Sequence, residues 1–561
     1  MLYLGNFILR KAMKHFYLYL LKILFLPIIL VGGVASAYEF HEKASETIAE
    51  SLSDRPAKDF LKQLYKELYY VPVWIHEDRA SSFALELFDA IAQDPLLTDD
   101  TKLRTDAVSL MKQSKEIFPN GSFSQKITFE FAMSQLYKGY SDYLFYGSID
   151  WGKFASKLAQ LKSSEEIEAD WVTYGPKQNQ YELIKNAIIQ GSLAKSLSKN
   201  IPKGYRYQAM VDEILKYRAL KAKGGWETIP NGTIKVGQSS SSIPLIRKRL
   251  AATQELGDCT LSDSLVYDEC LKKAIVDFQK NHRLGADGTI GPQTLKALNM
   301  SVDERLALLN LNLERIKRLN HRYENKHIVI NIPDFMLTFE ENGKVKKEMR
   351  VIVGEKKHPT PIFSNRVSYI VLNPYWNIPK SIVQKEMIPK LLKNPKAMAN
   401  RNIEIRQSWA SDAAKVDPAT IDWNQYKDAK TVPFRFAQVP GDHNALGRVK
   451  FMFPNNFSVY MHDTPTKHLF NRDVRAFSHG CIRLGEPKEL LKIFAEIDGG
   501  VDHRKSEEVL KTKNETQLGL NNSVPVDIIY LTAWVNHSGK VQWRDDIYGY
   551  DAIQLKLMKQ W

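Results

Sequence analysis

From about Tyr38 to Lys223, apolar residues return every three or four positions, the period of a helix with one buried face. "PAKDFLKQLYKELYY" sets Phe60, Leu61, Leu64 and Leu68 on one side, and "SSFALELFDAIAQ", "TDAVSLMKQSKEIF" and "KITFEFAMSQLYKGYSDYLF" repeat the pattern. "KGGWETIPNGTIKVGQSSSSIP", rich in Gly and Ser, marks a boundary. A compact helical section follows. "IPLIRKRL" has Pro244 near its first turn, "DECLKKAIVDFQKNH" aligns Leu271, Ala274, Ile275 and Phe278, and Pro292 opens a short helix burying Leu295 and Leu298. Val302, Leu306, Leu309, Leu313 and Ile316 then form the stripe of a longer helix.

Near His327 the period changes to two. "HIVINIPDFMLTFEENGKVKKEMRVIVG" reads as two strands joined at Asn342–Gly343, a hairpin signal. "NRVSYIVLNPYWNIP", "VKFMFPNNFSVYMHD" and "VPVDIIYLTAWVN" continue the alternation, while "SIVQKEMIPKLLKNPKAMANRN" interrupts it with a helical, charged insertion of the size that covers sites. The sequence therefore predicts an α+β multidomain chain. A helical scaffold spans 38–230, a small three-helix module 235–302 and a connecting helix 303–326. A mainly β, sandwich-like domain spans 327–536, with a helical lid insertion over about 382–430, and a tail spans 537–561.

Length and composition add limits. A chain of 561 residues exceeds one core, and 44% apolar with 25% charged residues excludes a disordered chain. Residues 1–37 have the layout of an export signal: Arg10, Lys11, Lys14 and Lys22 without an acid, the apolar run "ILFLPIILVGG", and "ASA". Pro27 breaks that run, which favours a cleaved signal over a retained anchor. Losing four cations leaves +10 of the formal +14, a balance suited to an acidic partner. Export excludes nucleic acid as that partner, and a solvated basic surface is the plainer reading. In an oxidising compartment Cys259 and Cys270, within the loop-like "DCTLSDSLVYDEC", are the expected disulfide. Cys481 is then the odd thiol, and its retention needs a reason.

"YMHDTPTKHLFNRDVRAFSHGCIRL" supplies one. His462 stands at a strand end, and His479, Gly480 and Cys481 stand in a turn before a helix that starts near Pro487. A thiol attacks as thiolate and needs a base or cation beside it. Gly480 lets the backbone fold tightly enough for amides around Gly480 and Cys481 to face a developing oxyanion. Alone, His-x-Cys also fits a buried structural pair. A zinc site needs four ligands, and only His468 lies at usable spacing. A papain-like protease would place its cysteine first, on a helix; here the order is reversed among strands.

"HDTP" followed by "FSHGCIRL" resembles the L,D-transpeptidase catalytic domain, as do "VIVGEKKHPTPIF", "NPYWNIP" and "PGDHNALGRVKFMFPN", over about 200 residues. "FQKNHRLGADGTIGPQTLKALN" resembles the peptidoglycan-binding helical module. With scaffold and lid, the chain is similar to the large periplasmic L,D-transpeptidases of Gram-negative bacteria. The resemblance implies Cys481 as nucleophile and His462 as general base. Ser478, His479 and Gly480 shape the turn and oxyanion pocket. Arg483 grips a substrate carboxylate or holds the turn through an ion pair, and Tyr460 and Trp376 are candidate pocket walls against a core-packing alternative. "HDTP" departs from the His-Gly or His-Ser of many smaller members, so no third residue is assigned to orient the base. The implied reaction releases D-alanine from wall tetrapeptide stems through a thioester and passes the acyl group to a second stem, forming 3→3 crosslinks. Water or a lipoprotein amine as acceptor would make a carboxypeptidase, an endopeptidase or a ligase; a non-catalytic wall-binding scaffold is the remaining alternative. Carbapenems are implied acylating agents and wall synthases implied partners, while no metal or organic cofactor is implied. The expected compartment is the periplasm, with membrane contact only through the N-terminal segment.

Overall fold

The computed structural model describes residues 33–559, apart from 165–166, 177, 321–324, 409, 411–412 and 430. The segment read as an export signal falls almost wholly outside the described residues, which begin with the helix Gly33–Leu52. Helices through Gln190 bury Leu64, Trp74, Phe88, Met133 and Tyr137 in one core. The longest, Phe123–Tyr146, opens with a reciprocal cap in which Ser122 and Gln125 satisfy each other's backbone N–H. Its Glu130 is fully buried yet paired, accepting from the Tyr65 hydroxyl at 2.6 Å and the amides of Val73 and Trp74 at 2.6 and 2.9 Å.

The scaffold stretch does not form a single packing unit. Phe154 and Leu158 of the helix Trp151–Ser163, with Ala169, lie in the core of the β domain. The helix Tyr207–Ala222 packs on Val302–Lys317 in a third core. In the small module, Ile246, Leu271, Ile275, Phe278 and Leu298 are fully buried, and Cys259 and Cys270 are bonded with Cα atoms 5.7 Å apart.

The β domain opens with β1 (Lys326–Asn331), β2 (Met336–Glu341), β3 (Lys344–Gly354) and β4 (Phe363–Leu372). The first stretch, read as two strands, makes three, because the turn through Pro333 and Phe335, at φ +50°, separates β1 from β2. Asn342 and Gly343, at φ +52° and +73°, form the β2–β3 turn. The insertion follows with β5 (Trp376–Asn377), β6 (Ile403–Arg406) and β7 (Arg435–Gln438). These form their own three-stranded sheet around a core of Val383, Met387, Ile388, Leu391, Trp423 and Phe436. It is thus mixed where the sequence read as helical, since four-residue strands are too short to show a period. Next come β8 (Val449–Met452), β9 (Met461–His462), β10 (Ala476–Ser478), β11 (Ile482–Leu484) and β12 (Thr516–Ile529). They join the main sheet in the order β10-β3-β11-β9-β8-β4-β12-β1-β2, and β2 also pairs with β3, closing the strands on themselves. Ile330, Leu337, Val351, Ile370, Phe451 and Val526 point inward, with Leu490, Leu491 and Phe494 of the helix Pro487–Ile497.

β13 (Ala533–Val535) and β14 (Val541–Trp543) form a hairpin. The segment beyond 536 is no loose tail. Tyr548 and Tyr550 are buried in the main core, and the Tyr548 hydroxyl donates to the Gly354 carbonyl at 2.7 Å. Arg315, on the helix Val302–Lys317, is fully buried. Its Nη2 donates to Asp551 at 2.7 Å and its Nε to Gln554 at 2.7 Å. Removing one partner of such a pair strands the other charge, a cost of about 3–5 kcal/mol. Arg315→Leu is therefore expected to lower the urea midpoint of the catalytic unit, followed by near-ultraviolet circular dichroism; an unchanged midpoint contradicts the assigned role.

Candidate active site

The site is set by strand register. β9 and β11 run parallel, with Ile482 beside Met461 and Arg483 beside His462, while β8 pairs Lys450 with His462. Met461, Ile482 and Phe451 are fully buried in the core. Period-two alternation then sends Lys450, Tyr460, His462, Cys481 and Arg483 to the opposite face. Two sequence-distant residues, thiol and imidazole, thus share one face of adjacent strands.

Cys481 is partly exposed and is the free cysteine among the described residues. Its Sγ–H faces the Ser458 carbonyl at 3.8 Å, and the Tyr460 side chain is near its sulfur. Burial pushes the thiol's pKa up. An amide and the hydroxyl of Tyr460, with the cations of Lys450 and Arg483, act in the other direction. Burial, and then the nearby thiolate, raises the Tyr460 phenol, which keeps its proton to donate. Its ring lies 5.6 Å from that of His462 and carries Lys450 Nζ 3.9 Å from its centroid.

His462 is buried, and its Nδ1–H donates to the carbonyl of Asp463 at 2.5 Å, leaving Nε2 bare. Burial, reinforced by the Arg483 cation, drives its pKa down to about 3. The group that orients the imidazole is a backbone carbonyl, which no residue type announces. Asp463 is itself pinned: its carboxylate accepts from the amides of Thr464 and Arg448 and from Lys467 Nζ. Gly447, at φ +61°, leaves the room this needs, because a Cβ there would sit 2.3 Å from the Asp463 carboxyl carbon.

The turn is held at both ends. Ser478 Oγ donates to the Cys481 carbonyl at 2.5 Å and accepts from the Gly480 amide at 3.2 Å. Gly480, at φ +105°, is in a conformation that other residues rarely adopt. Its amide is the one that donates to Ser478. Among the described residues the Cys481 amide carries no hydrogen bond, which leaves that donor free. The Gly480 carbonyl accepts from Thr360 Oγ1 at 2.8 Å, and Tyr548 Oη accepts from the Thr360 amide at 3.2 Å.

Arg483 donates to Thr466 Oγ1 at 3.4 Å and makes no ion pair among the described residues. His479 is exposed, 3.6 Å from Glu386 of the insertion, and stacks on His358. Trp376 stands elsewhere: it lies on β5 beside Gln438 and packs on the core of the insertion. His468 is exposed on the short helix Lys467–Asn471, apart from the other histidines of the turn. Sequence reasoning missed Lys450, Thr360 and Tyr548; for Lys450 the alternation of "VKFMF" against "VYMHD" carried the signal.

Residues 325–517 match the family of the L,D-transpeptidase catalytic domain. The chain carries an L,D-transpeptidase catalytic domain. Residues 59–214 match the scaffold domain family, and residues 239–298 the family described as "Putative peptidoglycan binding domain". A curated protein of Haemophilus influenzae described as "Putative L,D-transpeptidase" is 32% identical over 285 residues; the match takes in 49% of this chain and about half, 55%, of that protein. Among solved structures, an L,D-transpeptidase from Stackebrandtia nassauensis is 14% identical, covering 54% of this chain and 96% of its own, with a TM-score of 0.21. One from Mycobacterium smegmatis is 12% identical, covering 36% and 58%, with a TM-score of 0.17. The L,D-transpeptidase domain thus includes the closed sheet up to the start of β12, together with the turn bearing Cys481.

Proposed function

We propose that this protein is an exported, periplasmic L,D-transpeptidase acting on peptidoglycan. The observation that carries the reading is the shared face of β9 and β11, which bears both a free thiol and an imidazole whose Nε2 is bare. Cys481 attacks the carbonyl between the diamino acid and the D-alanine of a tetrapeptide stem as His462 Nε2 takes the thiol proton. The oxyanion forms against the unpaired Cys481 amide. D-alanine leaves with the proton from His462, and a thioester remains. The side-chain amine of a second stem attacks, His462 accepts its proton, and a 3→3 crosslink results. Arg483, without a carboxylate partner among the described residues, is free to hold a stem carboxylate near the sulfur. The strained carbonyl of a carbapenem would acylate the same thiol.

Incubation with tetrapeptide-bearing disaccharides, followed by mass analysis, tests the reading. Crosslinked product and released D-alanine are expected. Tripeptide alone would assign the activity to hydrolysis, and an absence of D-alanine release would overturn it.

The insertion is the element suited to keep water from the thioester. It has its own core, and Asn377 pairs with Ala437 at its root, so a two-residue turn can replace residues 378–436. That deletion is expected to raise the share of hydrolysis product over crosslink. An unchanged ratio in a folded variant rejects the shielding role.

A further inference from the structure

The turn that carries the nucleophile also gathers a cluster that the transfer reaction does not use. Glu355, His358 and His479 each present one ligand atom within 4.8 Å of the others. His358 Nε2 lies 4.0 Å from Glu355 Oε1, and the two imidazoles stack 4.9 Å apart at 18°. Zinc holds such atoms at about 2.0–2.1 Å, which needs separations of about 3.4 Å, so side-chain movements of roughly 1 Å complete the site.

Four further observations bear on a cation there. The other ring nitrogen of His358, Nδ1, donates to Glu168 at 3.1 Å, the carboxylate–histidine arrangement that fixes a ligating ring and leaves Nε2 as the ligand atom. The backbone is stiff where ligands are carried. The Glu355 amide donates to the Ser478 carbonyl at 2.8 Å, and the His358 amide to the Glu355 carbonyl at 3.1 Å. Glu355, Glu168 and Glu386 place three carboxylates around two imidazoles, while the nearby Lys162 is paired with Asp170. The two histidines also line a cavity of about 370 Å³ with Asn456 and Gly480, which gives an ion a way in.

We propose that Glu355, His358 and His479 bind one borderline divalent cation, of which Zn²⁺ is the type, with water or Glu386 as the fourth ligand. Imidazole and carboxylate donors suit that class. The ion joins four parts of the chain: the loop after β3, the catalytic turn, the scaffold through Glu168 and the insertion through Glu386. It would hold the turn bearing Cys481, so the site adjusts the enzyme without entering the acyl transfer. The sequence hides it, because His358 and His479 are far apart in the chain and only the β3–β10 pairing brings them together.

The test is calorimetric titration of the metal-free full chain with Zn²⁺, with Co²⁺ absorption as a second readout. One equivalent is expected to bind, equally in Cys481→Ala. Glu168→Gln is expected to weaken binding about 10–100-fold, and His358→Gln by more. The Co²⁺ spectrum of the unmodified protein should show ligand-field bands without a thiolate charge-transfer band. No binding by the unmodified chain, loss of binding in Cys481→Ala, undiminished binding in both His358→Gln and Glu355→Gln, or a thiolate band overturns the proposal.

Discussion

Cys481→Ala is expected to abolish acyl transfer, with D-alanine release falling on the order of 10⁴-fold or more. The unmodified enzyme, incubated with a carbapenem, should gain the mass of one drug molecule, and the variant none. The side chain is small and partly exposed, so its loss should leave the fold intact within about 1 kcal/mol. Loss of activity would then report chemistry and not unfolding. The same variant should still sediment with purified wall if the small helical module binds it. A variant that still takes up the drug would place the nucleophile elsewhere.

His462→Gln is the second large effect. Without the base, the proton of the thiol has no acceptor during attack, and the rate is expected to fall about 10²–10⁴-fold. Two titration consequences accompany it. Burial pushes the Cys481 thiol up and the His462 imidazole down to about 3, so the resting pair is neutral and the proton moves during attack. Alkylation of Cys481 by iodoacetamide should therefore keep rising through pH 9; a plateau from pH 6 upward would mean a preformed thiolate–imidazolium pair. Stability follows the imidazole. The unfolded chain protonates His462 near pH 6.5, whereas the folded chain does not until about pH 3. Below pH 6.5 the unfolded state binds the extra proton, so this contribution is present above that pH and is lost as pH falls toward 3. Urea midpoints at pH 7.5 and 4.5 should differ less in His462→Gln than in the unmodified protein.

How much of this was legible in the sequence follows from how far each feature reaches along the chain. The placement of His462 at a strand end and of Cys481 in a tight turn was legible because both leave local signatures, a short alternation and a Gly at a positive φ. The string "FQKNHRLGADGTIGPQT" was legible for the same reason: Gln279 stitches the turn, bonding the Gly288 amide, the Thr289 carbonyl and Thr294. Trp376 kept two readings, pocket wall or core, because an aromatic near a site and an aromatic at the root of an insertion look alike in one dimension; it packs on the core of the insertion. The helical reading of residues 382–430 failed at β6, which is too short for a period. The pairings of β3 with β11 and of β1 with β12, the Asp463 carbonyl on His462 and the brace through Thr360 depend on contacts that no single segment encodes.

That brace has an implication for when the enzyme becomes competent. Tyr548 reaches back to Gly354 and Thr360, and Thr360 holds the carbonyl of Gly480. A chain built only as far as Cys481 still lacks Tyr548, the residue that secures the bend around that thiol. A chain that stops short of Tyr548 is expected to carry Cys481 on a turn without this support.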